Sequence, residues 1–213
     1  MINSSSSISL VLLGAGGHAK SCINLIDSLK NFTIKGILGK KEELGKELLG
    51  YPIIGTDDDL TNIATSSKAI ITLGQIKSAS NRKKLFKMIS TLNIVSPSLI
   101  SPFSSFSKHS LIGMGSVVMH GSLVNASSSV GNNCILNSQC IIEHDVFIGD
   151  HCHISTGAKL NGGVIIEDEC FVGSGVIIRE GVTIGKGSII GMGESIFHDC
   201  DPGSIIKTTN KSI

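Results

Sequence analysis

Aromatic residues are scarce in this 213-residue chain, which has no tryptophan, one tyrosine and seven phenylalanines. Its core must come from aliphatic and small side chains, and 25 glycines point to a repetitive backbone. Charge of either sign is also in short supply. Eighteen Lys and Arg against seventeen Asp and Glu leave a net +1 without a block of one sign, so no footprint for nucleic acid or an anionic membrane is present. No eighteen apolar residues follow one another, and the opening "MINSSSSISL" has no basic residue before its short apolar run. Neither a membrane span nor a secretory leader is expected, and the protein reads as cytoplasmic. In that compartment the six cysteines are expected to stay reduced, since a disulfide framework suits a shorter secreted chain.

What is present is a period of six. From Ile112 in steps of six the chain reads Ile112, Val118, Val124, Val130, Leu136, Ile142, Ile148, Ile154, Leu160, Ile166, Val172, Ile178, Ile184, Ile190 and Ile196, all aliphatic. Gly often follows, as at Gly113, Gly131, Gly149 and Gly173, and a small or β-branched residue comes four after the aliphatic one. This is the hexapeptide repeat of a parallel β-helix: each hexad gives a short strand and a turn, three hexads close a coil, and aliphatic side chains stack inward. Cys134, Cys140, Cys152 and Cys170 all fall at the small-residue position, which makes them packing residues rather than zinc ligands. The flat surface of such a prism suits side-by-side association.

Before the repeats, "ISLVLL" reads as a buried strand, "GAGGHAK" as a glycine-rich turn and "HAKSCINLIDSLKN" as a helix. "TIKGIL" and "KAIITLG" read as further strands and "ASNRKKLFKMISTL" as a helix, which implies a small parallel α/β sheet. Gly14, Gly16 and Ala19 satisfy the dinucleotide-binding pattern, so loop amides and a helix N-terminus can receive a phosphate. An NAD site would also need an acid at the end of the second strand to hold the ribose, but that strand ends "GILGKK". A site for one phosphorylated small ligand fits better, the alternative being a merely structural tight turn.

"GAGGHAK", "GYPIIGTDDDL" and "IIEHDVFIGDHCHISTGAKLNGGV", in this order along nearly the whole chain, resemble the bacterial sugar acetyltransferases of the PglD/NeuD type. The resemblance implies a Rossmann-like α/β domain over residues 1–95 that binds a nucleotide-sugar acceptor. A left-handed β-helix acetyltransferase domain with a short C-terminal tail follows over 96–213. It also implies a homotrimer that uses acetyl-CoA and no metal, with active sites between neighbouring β-helices, making sugars for surface glycans.

By the same resemblance His144 is the general base and Asp145 orients its imidazole. The chemistry agrees: an acceptor amine or hydroxyl must lose a proton as it attacks a thioester, and imidazole is suited to take it near neutrality. No nucleophile-elbow motif is present, so direct transfer is favoured over a covalent acetyl-enzyme. Gly162 lies eighteen residues beyond His144, one full coil, and its amide is a candidate for the oxyanion. His153 matches a position contacting acetyl-CoA and Asn137 a polar position near the acceptor, each alternatively a solvated turn residue. The matching acceptor contacts in the first domain are Gly14, Gly16, Gly17 and His18.

Two departures bear on the substrate. Relatives that use UDP-sugars carry one or two Asp at the end of the second strand, where this chain has Gly39 and Lys40. The tail "DPGSIIKTTNKSI" keeps "PGS" but lacks the G-x-P-A-K that follows it in the family. Three readings stay open: N-acetylation of a nucleotide-linked amino sugar, O-acetylation of a sialic-type (nonulosonic) acid, and a non-catalytic nucleotide-sugar-binding protein. A γ-type carbonic anhydrase would need zinc-binding histidines at coil-related spacing, and His144, His151 and His153 lie too close along the chain for that.

Overall fold

The computed structural model describes residues 7–63 and 67–208. These form two compact units, one made of the residues up to Gly74 together with Asn81–Leu99, the other of Gln75–Ser80 and the chain from Ile100.

The first unit is a five-stranded sheet in the order β3-β4-β2-β1-β5. Its strands are β1 (Ile8–Leu13), β2 (Phe32–Leu38), β3 (Glu47–Leu48), β4 (Tyr51–Gly55) and β5 (Lys68–Ile71), with helices α1 (Gly17–Asp27), α2 (Leu60–Ile63) and α3 (Ser80–Thr91). β1 pairs in parallel with both β2, which it reaches through the crossover helix α1, and β5, and β2 pairs in parallel with β4. Leu10 to Leu13 of β1 are fully buried, because a central parallel strand is covered on both faces and cannot alternate apolar with polar. In α1, Ala19, Cys22, Ile23, Leu25 and Ile26 form the buried stripe at helical spacing. The antiparallel β3–β4 hairpin is an addition to the sequence reading. Leu49 and Gly50 between its strands both have positive φ (51° and 83°), the requirement of the tight hairpin turn that Asn-Gly usually announces.

The second unit is a parallel β-helix of triangular section. One face stacks two-residue strands from Ser105–Phe106 through Ile141–Ile142 and Lys159–Leu160 to Ser195–Ile196. The second runs from Leu111–Ile112 through Phe147–Ile148 to Thr183–Ile184, and the third from Leu99–Ile100 through Val117–Val118 and His153–Ile154 to Ile205–Ile206. Strands pair with the one eighteen residues on, as Ile142 with Leu160, except in the last coil, where Ile189 pairs with Ile205, so the ladder's hydrogen bonds run between coils. The repeated aliphatic residues are one continuous buried column from Val118 to Ile196, each worth about 1.5–3 kcal/mol on burial.

The small position of each hexad has a second task. Ser116, Ser122 and Ser128 donate to the carbonyls of Gly131, Asn137 and Glu143 at 2.6–2.8 Å, and the thiols of Cys134, Cys152 and Cys170 make the same contact with Gly149, Glu167 and Gly185 at 3.1–3.2 Å. All six cysteines are free and buried. The third residue after each aliphatic one from Ile112 to Ile190 adopts a left-handed backbone, often as glycine, but as Asp145 (φ 60°) in the turn that carries His144.

Candidate active site

His144 stands at the corner between the first and second faces, in the turn from Ile141–Ile142 to Phe147–Ile148. Its Nδ1 lies 2.7 Å from Oδ2 of Asp145, and both side chains are exposed. The left-handed backbone at Asp145, which a short polar side chain tolerates, lets neighbouring residues face each other this way. With Nδ1–H donated to the carboxylate, Nε2 is left with its lone pair outward, the arrangement of a base.

Gly162 occupies the same corner one coil on. A Cβ at this position would stand 2.7 Å from Cε1 and 2.8 Å from Nε2 of His144, so only glycine lets the ring sit there. The adjoining turn differs from its counterparts. Asn125 and Asn137 use their side-chain oxygens to accept the N–H of the next residue, Ala126 and Ser138, at 2.8 Å. Asn161 instead donates its Nδ2 to the Ile178 carbonyl at 2.8 Å, leaving the Gly162 N–H unclaimed by that side chain.

His153 and Asn137 come together elsewhere, on the third face. Asn137 Nδ2 lies 3.3 Å from His153 Nε2, and His153 Nδ1 donates to the Gln75 carbonyl at 2.6 Å. His153 is only 6% exposed and meets Phe171 edge-on at 5.3 Å, so it is a buried, doubly bonded residue rather than a solvated turn residue. It borders an apolar groove of about 370 Å³ lined also by Ile76, Phe171, Gly173, Ile189 and Ile206. Sequence reading missed Gln75: its side chain donates to the His151 carbonyl at 2.9 Å and its backbone fixes the His153 tautomer. Gln75 lies outside the repeats, and no periodicity announces it.

In the first unit Gly14, Ala15 and Gly16 line a cleft of about 440 Å³ with Gly39, Lys40, Glu43, Asp57 and Lys84 among its other walls. Gly14 is needed for two reasons: its φ is 113°, and a Cβ there would come within 2.4 Å of Leu73. A Cβ on Gly16, by contrast, would meet nothing within 4 Å, which leaves the loop open for a close ligand. Burial holds the Asp57 carboxyl above its usual range, with Lys84 pulling the other way. Gly17 and His18 are not in the lining of this cleft. His18 Nε2 lies 3.4 Å from the Cys22 thiol one turn along α1, and burial pushes that thiol up to about 12.

Comparison with known proteins agrees with this architecture. The PglD N-terminal domain model matches residues 9–89, and the model for the hexapeptide repeat of succinyl-transferase matches 163–197. The structure resembles the acetyltransferase domain of PglB from Neisseria gonorrhoeae with a TM-score of 0.85 and 30% identity, covering 92% of this chain and 95% of that one. The chain belongs to the PglD-type family of sugar acetyltransferases. Its β-helix is left-handed, as in that family. PerB of Caulobacter crescentus, solved with CoA and GDP-perosamine, is 28% identical over 92% of both chains, also at a TM-score of 0.85. The PglB domain has been solved with acetyl coenzyme A as well. No curated protein matches the chain in sequence. No helix among the described residues is long and apolar enough to cross a membrane.

Proposed function

We propose that this PglD-type enzyme transfers acetyl from acetyl-CoA to the amine of a nucleotide-linked amino sugar, with His144 as general base. The observation that carries the reading is the Asp145–His144 pair seated over Gly162. The acceptor nitrogen attacks the thioester carbonyl while His144 Nε2 takes its proton. The oxygen gains the negative charge and is received by the Gly162 N–H. When the carbonyl re-forms, the C–S bond breaks and the coenzyme leaves as thiol with the proton that His144 returns. Asp145 holds the tautomer and stabilises the imidazolium between these two transfers.

The donor belongs along the apolar groove bordered by His153, where an extended chain can lie against Phe171 and Gly173. The nucleotide of the acceptor belongs in the cleft of Gly14 and Gly16, as the nucleotide-sugar complex of PerB suggests. His144 and His153 sit on different sides of one prism, so a reaction centre holding both needs a second copy. Exposed Phe147, Ile165 and Ile177 on the two faces flanking the His144 corner supply an apolar surface for it, which supports the homotrimer. The setting is a cytoplasmic step of surface-glycan synthesis.

The test is release of coenzyme thiol from acetyl-CoA with UDP- and GDP-linked amino sugars, compared with nonulosonic acids, on the wild type and on His144→Ala. Turnover with a nucleotide-linked amine, lowered roughly 10²–10⁴-fold in the variant, is the expected result. Turnover with nonulosonic acids alone would overturn it in favour of an O-acetyltransferase, and none with any sugar would favour a binding protein.

A further inference from the structure

The second strand of a nucleotide-binding α/β unit ordinarily ends in an acid that accepts hydrogen bonds from the nucleoside. Here β2 ends at Leu38 and is followed by Gly39 and Lys40, which leaves the cleft without that group on the strand itself. The structure fills the place from another element. A short 3₁₀ turn, Lys41–Glu43, folds back after Lys40 and returns the Glu43 carboxylate to the strand end. Its Oε2 accepts the Lys40 N–H at 2.8 Å and stands 2.8 Å from where a Cβ of residue 39 would be. An aspartate at residue 39 and the Glu43 carboxylate would therefore compete for one space, and the glycine is what admits the glutamate.

We infer that Glu43 is the specificity-determining residue that receives the nucleoside of the acceptor, in place of an acid at residue 39. The inference rests on the proposed nucleotide-linked acceptor. Glu43 lines the same cleft as Gly14, Ala15 and Gly16, whose open backbone suits the phosphates. Lys40 and Lys84 on that cleft add positive charge for them. A carboxylate has room for about four donors, and the Lys40 N–H takes one. What it can recognise is therefore a pair of donors: the vicinal hydroxyls of ribose, or the N–H edge of guanine. The turn costs the ligand nothing to organise, because the Lys40 N–H and the Glu43 N–H to Lys40 carbonyl bond (2.9 Å) already hold it.

The experiment is calorimetric titration of the full chain with UDP, GDP and 2′-deoxy-GDP, on the wild type and on Glu43→Gln. Glutamine can still accept the Lys40 N–H through its carbonyl, so the variant removes the charge and keeps the turn; matching circular dichroism of the two proteins checks this. The expected result is that nucleoside diphosphate binds the wild type and weakens about tenfold or more in the variant. Weakening of UDP and GDP alike, with the deoxy compound already weak on the wild type, assigns the contact to ribose; weakening of GDP alone assigns it to guanine. Equal binding by wild type and variant would overturn the role of Glu43 and leave the acceptor reading standing. Absence of nucleotide binding by the wild type would overturn both.

Discussion

The imidazole of His144 occupies the space in which any side chain of residue 162 would have to stand, with Cε1 2.7 Å and Nε2 2.8 Å from a Cβ at Gly162. The two coils are fixed relative to each other by the Gly163 N–H donated to the His144 carbonyl at 3.0 Å. In Gly162→Ala the ring must therefore yield rather than the backbone. We expect kcat to fall about 10²-fold, as for a displacement near 1 Å in a reacting group, with the thermal transition little changed. Steady-state kinetics beside a melting curve read both, and an unaltered kcat would remove this contact from the mechanism.

Asp145 can be tested without disturbing its unusual backbone. Asparagine also tolerates a φ of 60°, so Asp145→Asn keeps the turn and loses the charge that accepts from His144 Nδ1 at 2.7 Å. The imidazole is then free to take the other tautomer. The loss in kcat should lie between wild type and the roughly 10²–10⁴-fold expected for His144→Ala, with KM for acetyl-CoA unchanged. A variant as active as the wild type would leave Asp145 a turn residue.

Much of this arrangement is readable in the sequence because the β-helix repeats one physical demand. A residue facing the axis must be aliphatic, so Val118 to Ile196 declare the core, and the coil length then places Gly162 beside His144. Residues outside that period carry no such signal. The β3–β4 hairpin was hidden because Leu49 rather than Asn takes the first positive-φ position, a choice propensity does not favour. Glu43 and Gln75 were hidden because both lie outside the repeats, and only the three-dimensional structure connects Glu43 with Gly39 or Gln75 with His153. His18 stands in the glycine-rich motif, and its ring lies 3.4 Å from the Cys22 thiol one turn along α1.

His153→Ala should act on binding of the donor and on stability together. The Gln75 carbonyl and the Asn137 amide would each lose a partner, and an unpaired buried polar group costs about 1–3 kcal/mol. KM for acetyl-CoA should rise while kcat at saturation stays within a few fold. The reverse pattern, a lowered kcat at constant KM, would move His153 from holding the donor to the chemistry.

Cys22 and Cys140 make a pH prediction whose sign follows from burial, whereas a hydrogen bond with Cys152 pulls the Cys170 thiol the other way. Burial pushes Cys22 and Cys140 up to about 12 from an ordinary 9.0. Between those values the unfolded chain has released thiol protons that the folded chain still holds, so ν_U is less than ν_N and unfolding becomes easier as pH rises through the window. Urea midpoints should therefore fall from pH 9 toward pH 11, and less steeply in Cys140→Ser, which removes one of the two thiols. The native protein should also be inert to a thiol reagent near pH 8 and show its cysteines only after denaturation. Rapid labelling of the folded protein would contradict their burial.

Phe147 offers the sharpest test of assembly. Its side chain is 48% exposed on the second face, three residues from His144, and its neighbour one coil on, Ile165, is exposed as well. Leu111 on the same face is 70% exposed, with Ser129 between it and Phe147, so a row of mostly apolar side chains lies open in a single copy. Transfer of such a row out of water contributes at about 25 cal/mol per Å², whereas a buried, unpaired carboxylate in its midst would cost several kcal/mol. Phe147 takes no part in the inward column, so Phe147→Asp should leave the coil folded and convert the proposed trimer to monomer in light scattering. Activity should vanish with the proposed trimer although His144, Asp145 and Gly162 are untouched, because the proposed reaction centre takes its His153 face from another copy. A monomer that kept full turnover would show that one prism suffices for the reaction.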